Sequence, residues 1–387
     1  MDIKISNDIR YIGVNDYDVD LFEGQYILEK GMAYNSYVIL DEKVAVMDTV
    51  DRIAVDRWAD ALENALDGRD VDYLVVQHLE PDHSAGIDYL AEKYPNMQIV
   101  CSTVALRMIP NFCDTDPSRF IGVKEGETLS LGVHTLTFVM ASMIHWPEVM
   151  VTYDSTDKVL FSADAFGKFG TTDADEGWSC EARRYYFNIV GKYGKQVQGL
   201  LKKAQGLEIG TICPLHGPIL TDTISDDLKL YNTWSAYDYE DKGVFIACAS
   251  IHGNTMQGAE KLKTILEEKG CPRVVLADLT RDDIAECVED GFRHSHLVCM
   301  ASSYDGGVFA PMSDYLHHLQ SKSFQNRTVA LVENTSWTPS AIRAMKAEFE
   351  KMQNITLVEK TVSIKTRVNE NTINELDALA EEIMKDF

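Results

Sequence analysis

Val75-Val76-Gln77-His78-Leu79-Glu80-Pro81-Asp82-His83-Ser84-Ala85-Gly86 places four metal-ligating side chains within six residues, directly after an apolar strand. A lone histidine in such a place is usually a capping or hydrogen-bonded surface residue. Two imidazoles and two carboxylates together ask for another explanation. Pro81 stiffens the segment, and the spacers Leu79 and Pro81 let alternate side chains reach one side. Ser84-Ala85-Gly86 supplies small residues at an expected helix start. The first 240 residues hold five histidines; besides His78 and His83 they are His145, His216 and His134. His145 and His216 each occupy an expected loop after a strand, as does Asp164 in Ser-Ala-Asp-Ala-Phe. The seven side chains His78, Glu80, Asp82, His83, His145, Asp164 and His216 suffice for two adjoining metal sites. Nitrogen and carboxylate donors without thiolate favour iron or manganese over structural zinc.

Outward from that cluster, residues 20–240 alternate short strands with turns and a few helices. Tyr37–Leu40 and Val44–Asp48 read as a hairpin around Glu42-Lys43, followed by a helix over Ile53–Leu66 and the strand Tyr73–Val76. Further strands are expected at Ile99–Cys101, Leu136–Met140, Val149–Tyr153 and Val159–Ser162. Grouped strands with outer helices and ligands on loops at one edge suggest an αβ/βα sandwich. After the polar, aromatic stretch Tyr231–Asp241 the pattern changes. Strands at Gly243–Ser250, Arg273–Ala277, His296–Met300, Thr328–Val332 and Thr356–Val358 alternate with helices, beginning at Met256–Lys269 and ending near Ile383. That is the doubly wound parallel pattern. The expectation is therefore an α/β chain of two domains, 1–240 and 241–387.

Ser250-Ile251-His252-Gly253-Asn254-Thr255 leaves a buried strand and opens a helix, where hydroxyls, backbone amides and the helix N-terminus face a phosphate. A plain helix cap is the bland alternative. Ser302-Ser303-Tyr304-Asp305-Gly306-Gly307 offers an aromatic plane and pliable backbone at a second strand end. Asn334-Thr335-Ser336-Trp337 ends a third. Three loops at the carboxyl ends of parallel strands mark where such folds bind ligands.

The run His-x-Glu-x-Asp-His resembles the His-x-His-x-Asp-His signature of the metallo-β-lactamase fold, with Glu80 in place of the second histidine. Together with His145-Trp146-Pro147, Asp164 and Leu215-His216-Gly217-Pro218, it resembles the flavodiiron family over nearly the whole chain. The 250–255 loop likewise resembles the flavodoxin Ser/Thr-x-x-Gly-Asn-Thr loop that holds the FMN phosphate. The loop at 302–307 departs from the family's usual Pro-Thr-Tyr-Asn-Gly-Gly at Ser302, Ser303 and Asp305. The resemblance implies a metallo-β-lactamase-like sandwich fused to a flavodoxin-like domain, with FMN and a non-haem di-iron site. One iron would take His78, Glu80 and His145, the other Asp82, His83 and His216, with Asp164 bridging. It further implies reduction of O2 to water or of NO to N2O, and a head-to-tail homodimer or a dimer of such dimers. The electron donor it allows is a rubredoxin, a pyridine-nucleotide reductase or a reduced deazaflavin. Tyr185, Tyr186 and Tyr193 are candidate proton donors, and Gly31–Ser36 is a candidate pocket wall.

Composition narrows the partners. The chain has 387 residues, 45% hydrophobic and 25% charged, with a net charge of −25. That charge argues against nucleic acid and against an anionic membrane surface. No run approaches a membrane span, and the N-terminus lacks a signal-peptide pattern. Eight scattered cysteines without a Cys-x-x-Cys pair read as reduced thiols of a cytoplasmic protein, and argue against an appended rubredoxin-type site. Two other classes compete: a zinc hydrolase of the lactamase fold carrying a flavodoxin module, and an electron-transfer flavoprotein with a structural metal. Glu80 argues against the first. A full ligand set with open positions argues against the second.

Overall fold

The computed structural model describes residues 4–387. The chain forms two compact units, one holding residues up to Tyr186 together with Lys195–Asn232, the other Phe187–Gly194 and Thr233–Phe387. The chain thus leaves the first unit for eight residues and returns before its final crossing.

In the first unit, strands β1 (Ile9–Tyr11), β2 (Tyr37–Leu40) and β3 (Val44–Met47) are followed by helix α1 (Val55–Leu66). Strands β4 (Tyr73–Val76), β5 (Gln98–Ser102) and β6 (Phe120–Val123) complete a six-stranded sheet in the order β1-β2-β3-β4-β5-β6. The hairpin β2–β3 pairs Tyr37 with Met47, and its strands, apolar at every position, are buried on both faces. Asp51 caps the turn before α1, accepting from the Ile53 amide, so the helix proper begins two residues later than its apolar period suggests. Its Trp58, Leu62 and Leu66 are buried.

A second sheet holds β7 (Thr128–Ser130), β8 (Thr135–Met140), β9 (Met150–Asp154), β10 (Val159–Phe161) and β11 (Thr211–Cys213) in chain order. Ile39, Ala45, Val75 and Val100 of the first sheet share one core with Leu136, Phe138, Phe161 and Cys213 of the second. The two sheets therefore face each other, as the alternating strand pattern demands. Because β9 runs antiparallel to both β8 and β10, and β10 parallel to β11, the carboxyl ends of β8, β10 and β11 lie along one edge.

The second unit begins with β12 (Asp241–Ala249), α2 (Asn254–Glu268), β13 (Val274–Asp278) and α3 (Ile284–Arg293). It continues with β14 (His294–Tyr304), α4 (Ala310–Ser321), β15 (Gln325–Thr335) and α5 (Ala341–Phe349). Strands β16 (Gln353–Leu357) and β17 (Val362–Lys365) pair with successive halves of β15, and α6 (Glu370–Met384) closes the unit. All the main pairings are parallel, in the order β13-β12-β14-β15-β16. This flavodoxin-like order reverses direction between β12 and β14, which opens a crevice beyond their carboxyl ends. Ile246, Val298, Met300 and Val332 of the sheet pack with Leu262 of α2 and Leu376 of α6.

Candidate functional site

All seven expected ligands come together in the first unit. His78 and Glu80 follow β4 in extended backbone, so alternate side chains do point one way. Asp82 and His83 do not continue that alternation. Pro81 starts a one-turn helix, Pro81–Ser84, and Pro at a helix start loses no bond because its missing N–H would be unpaired there anyway. The helical turn swings Asp82 and His83 onto a second cluster. Gly86 ends the device: a Cβ there would sit 2.7 Å from the Trp58 ring and 2.9 Å from Thr49 Cβ. His145, Asp164 and His216 arrive from the loops after β8, β10 and β11.

Two groups result: His78, Glu80, His145 and Asp164 in one, Asp82, His83 and His216 in the other, the ligand atoms of each lying within 4.8 Å of one another. Asp164 divides its carboxylate between them. Its Oδ2 is 3.3 Å from His78 Nε2 and 3.1 Å from His145 Nε2. Its Oδ1 is 3.3 Å from His83 Nε2 and 3.8 Å from His216 Nε2. His83 and His216 point Nε2 at Nε2 across 3.1 Å. With His216 Nδ1 donating to the Ala33 carbonyl, its Nε2 presents a lone pair toward His83, which either an N–H of His83 or a shared cation can meet. Both oxygens of buried Asp82 and Asp164 lack hydrogen-bond donors. Buried acceptors left unpaired are costly. The donor set therefore fits two cations.

The protonation preferences agree. Burial opposes charge on His78 and His145, yet the surrounding carboxylates win, holding His78 well above its ordinary range and His145 at about 9. Burial likewise opposes charge on Glu80, and the His145 and His78 imidazoles bring it down to about 2. These carboxylates demand positive charge, supplied by protons where no metal is bound. Glu80, His145 and Asp82 keep side-chain exposures of 15%, 10% and 10%, against 1% or less for His78, His83, His216 and Asp164. The cluster therefore reaches solvent at Glu80, His145 and Asp82.

The supporting shell contains groups the sequence reading did not single out. His78 Nδ1 lies 2.7 Å from Glu148 Oε1, which also accepts from the Leu79 amide at 3.0 Å. Glu148 closes the run His145-Trp146-Pro147-Glu148, and an acid beside a ligand histidine was the available signal. The backbone carbonyl of Ala33 accepts from His216 Nδ1 at 2.8 Å, and Asn35 Nδ2 holds the carbonyls of Pro214 and Gly217. Each imidazole so held presents Nε2 to the cluster. Asp48 accepts from the amides of Gln77 and His78, and burial lifts its carboxyl to about 6 against those hydrogen bonds.

Of the three tyrosines, Tyr185 stands with its ring centroid 5.7 Å from that of His216, its phenol buried without a hydrogen-bond partner. Tyr186 sets its ring against Tyr231, and Tyr193 belongs to the second unit.

In the second unit a recess of about 550 Å³ lies beyond the ends of β12, β14 and β15. Ser250, Ile251, His252, Asn254 and Thr255 line it, with Ser302, Ser303, Tyr304, Asp305 and Gly306 opposite. Asn334, Thr335, Ser336 and Trp337 form a third wall, joined by Thr338, Ser340 and Thr366, which the sequence reading passed over. Gly253 (φ +87°) turns the first loop in a conformation that disfavours other residues, and Ser250 Oγ accepts from its amide at 3.0 Å. Gly307 lies outside the lining and pairs with Tyr304 in a short hairpin. Trp337 is 88% exposed at the rim, and Tyr304, 49% exposed, sets its ring edge-on to Phe309.

Comparisons with known proteins accord with this geometry. Residues 32–217 match the model of the ODP family beta lactamase. The anaerobic nitric oxide reductase flavorubredoxin of Escherichia coli O1:K1 is 28% identical over 364 residues, 90% of this chain and 75% of the relative. The same-named protein of Shigella dysenteriae serotype 1 aligns over the same shares. The chain is similar to the flavorubredoxins over nine tenths of its length. Rubredoxin oxygen:oxidoreductase from Desulfovibrio gigas superposes with a TM-score of 0.93 at 24% identity, covering 100% of this chain and 98% of that one. The flavodiiron protein from Giardia intestinalis superposes with 0.91 at 24% identity, over 100% and 97%. The fold of this chain is accordingly a metallo-β-lactamase-like sandwich plus a flavodoxin-like unit. Among the described residues no helix is long and apolar enough to cross a membrane.

Proposed function

We propose that the chain is an oxidoreductase that reduces O2 to water or NO to N2O at a non-haem di-iron site, with electrons delivered through FMN. The observation that carries this reading is the division of Asp164, one oxygen to each ligand group. His78, Glu80 and His145 would hold one iron and Asp82, His83 and His216 the other, with Asp164 shared. The hydroxyl- and amide-rich recess of the second unit would hold FMN, its phosphate on the 250–255 loop. Bound there, the irons supply redox change with open coordination positions, and the flavin supplies a store of electrons.

The protein's own groups then have defined tasks. Glu148 and the Ala33 carbonyl fix two imidazole tautomers. Glu80, His145 and Asp82 border the opening through which a small gas enters. Tyr185 aims an unpaired phenol at the carboxylate cluster and is the proton or hydrogen-bond donor this pocket offers. Taking O2 to water consumes four electrons and four protons; joining two NO into N2O and water consumes two of each. The names of the relatives favour a rubredoxin-type donor, and the family resemblance favours a head-to-tail dimer bringing the flavin of one copy to the metals of the other.

The test is anaerobic reduction of the purified, metal-assayed protein, followed by stopped-flow mixing with O2 and with NO separately and identification of products. Catalytic consumption of either gas, with iron near two per chain and bound FMN, is expected. Zinc in place of iron, with no turnover of either gas, would overturn the reading.

A further inference from the structure

Glu333 directly follows the apolar run Val329-Ala330-Leu331-Val332 and is only 4% exposed on β15 between β14 and β17. A carboxylate buried in a central strand is costly unless donors satisfy it. Here every partner donates. Glu333 Oε1 accepts from Ser363 Oγ at 3.1 Å, and Oε2 from the Ile342 amide at 3.2 Å and Ser303 Oγ at 3.4 Å. The Ile342 amide lies in the first turn of α5, where the helix dipole adds to the attraction.

The network continues through Ser303. While donating to Glu333, its hydroxyl accepts from the amides of Ser340 at 3.0 Å and Ala341 at 3.2 Å. Ser340 Oγ returns a bond of 2.6 Å to the Gly307 carbonyl. Ser303 belongs to one wall of the 550 Å³ recess and Ser340 to the facing one. The two walls are thus pinned to each other through one buried carboxylate and one hydroxyl, beneath the surface a ligand would touch.

We infer that Glu333 is a positioning residue for the cofactor of this recess: acting through Ser303, it fixes the spacing of the 302–307 and 335–340 loops that clasp the flavin. This rests on the reading of the recess as an FMN site. The geometry favours it over a purely stabilising role. The carboxylate's donors are Ser363 of β17, Ser303 at the recess end of β14 and the first turn of α5, and the last two adjoin the loops that line the recess.

The experiment is FMN titration of the deflavinated full-length chain, with thermal unfolding of the same apo-proteins in parallel. Glu333→Leu and Ser303→Ala are each expected to weaken FMN binding roughly tenfold, the worth of one charge-assisted hydrogen bond. Glu333→Gln and Ser303→Thr, which keep an acceptor and a hydroxyl, are expected to stay within about threefold of the parent. Because both residues act through one link, the double variant Glu333→Leu/Ser303→Ala should bind little worse than either single one. Additive losses in the double variant, or lowered melting points with unchanged FMN affinity, would reduce Glu333 to a stabilising residue and overturn the inference. If Glu333→Leu does not fold, the Ser303→Ala and Ser303→Thr pair decides: equal affinities overturn it. A parent chain that takes up no FMN overturns the flavin reading itself, and this inference with it.

Discussion

The two candidate sites solve opposite electrostatic problems. In the first unit the pocket floor is made of charge. Asp82 and Asp164 are buried with no donor on their oxygens, and imidazoles crowd around them with raised affinity for protons. In the second unit the recess wall is made of hydroxyls, amides and backbone, and its one buried carboxylate, Glu333, is set behind the wall and fully supplied with donors. The first arrangement is unsatisfied until a cation arrives. The second is satisfied beforehand and waits for a neutral-walled fit. A metal site can be strained by its own ligands because coordination repays that strain, whereas a mononucleotide pocket must keep its shape while empty.

The sharpest way to break this contrast is Asp164→Asn. The amide keeps the size but offers one acceptor where two groups of imidazoles each need one. Metal content should fall from two per chain to one or fewer, and gas turnover by more than the ~100-fold that supporting residues cost. FMN content should be unchanged. Two tightly held metals in this variant would show that Asp164 is not shared. A milder probe is Glu148, since its Oε1 serves both His78 and the Leu79 amide. Glu148→Gln keeps the acceptor and loses the charge, so metal affinity should drop about tenfold; Glu148→Ala should drop it nearer 100-fold. Equal affinities for the two variants, measured by competition with a chelator, would mean that charge on Glu148 is irrelevant.

The difference between the sites also explains what was legible in the sequence. The candidate metal ligands are conspicuous because histidine is rare and four of the five in the first 240 residues converge. The flavin loops are conspicuous because they sit at strand ends. Supporting groups are less so: Glu148 is marked only by its place beside His145, and Glu333 only by the apolar run before it, until their partners are known. Short strands escaped for a related reason: Phe120–Val123, Thr211–Cys213 and Val362–Lys365 hold three or four residues each, too few to show a period. His294–Tyr304 outran its apolar core because Ser303 and Tyr304 pair with Val308 and Gly307. The excursion of residues 187–194 into the second unit leaves no trace in composition at all.

Packing beneath the ligands gives a smaller effect. Gly86→Ala drives a methyl into Trp58 and Thr49, neither of which is free to move away in the core. Overpacking of this kind costs about 1–3 kcal/mol. Calorimetry should show the transition of the metal unit lowered by several degrees. The transition reported by flavin fluorescence should stay in place. If both move together, the two units do not unfold independently and the contrast between them is weaker than drawn.

The gentlest probe uses acid, because the histidines of the two units lean in opposite directions. Carboxylates raise His78, His83 and His145, while burial lowers His294, with Arg273 and Arg293 adding to the effect, to about 4. The imidazole of His294 donates to the Asp290 carbonyl and stacks on Phe245 of β12, ring centroids 6.2 Å apart. A folded pKa below the unfolded value of 6.5 means that the unfolded chain takes up the proton first. This contribution to stability is therefore present above about 6.5 and lost as pH falls toward about 4. The flavin-reported melting point should drop by about 5 °C across that window. His294→Gln, which keeps a donor for Asp290 but cannot titrate, should flatten the slope. An identical pH profile in the variant would assign the acid sensitivity to some other group in the unit, with His296 and His318, also lowered by burial, next in line.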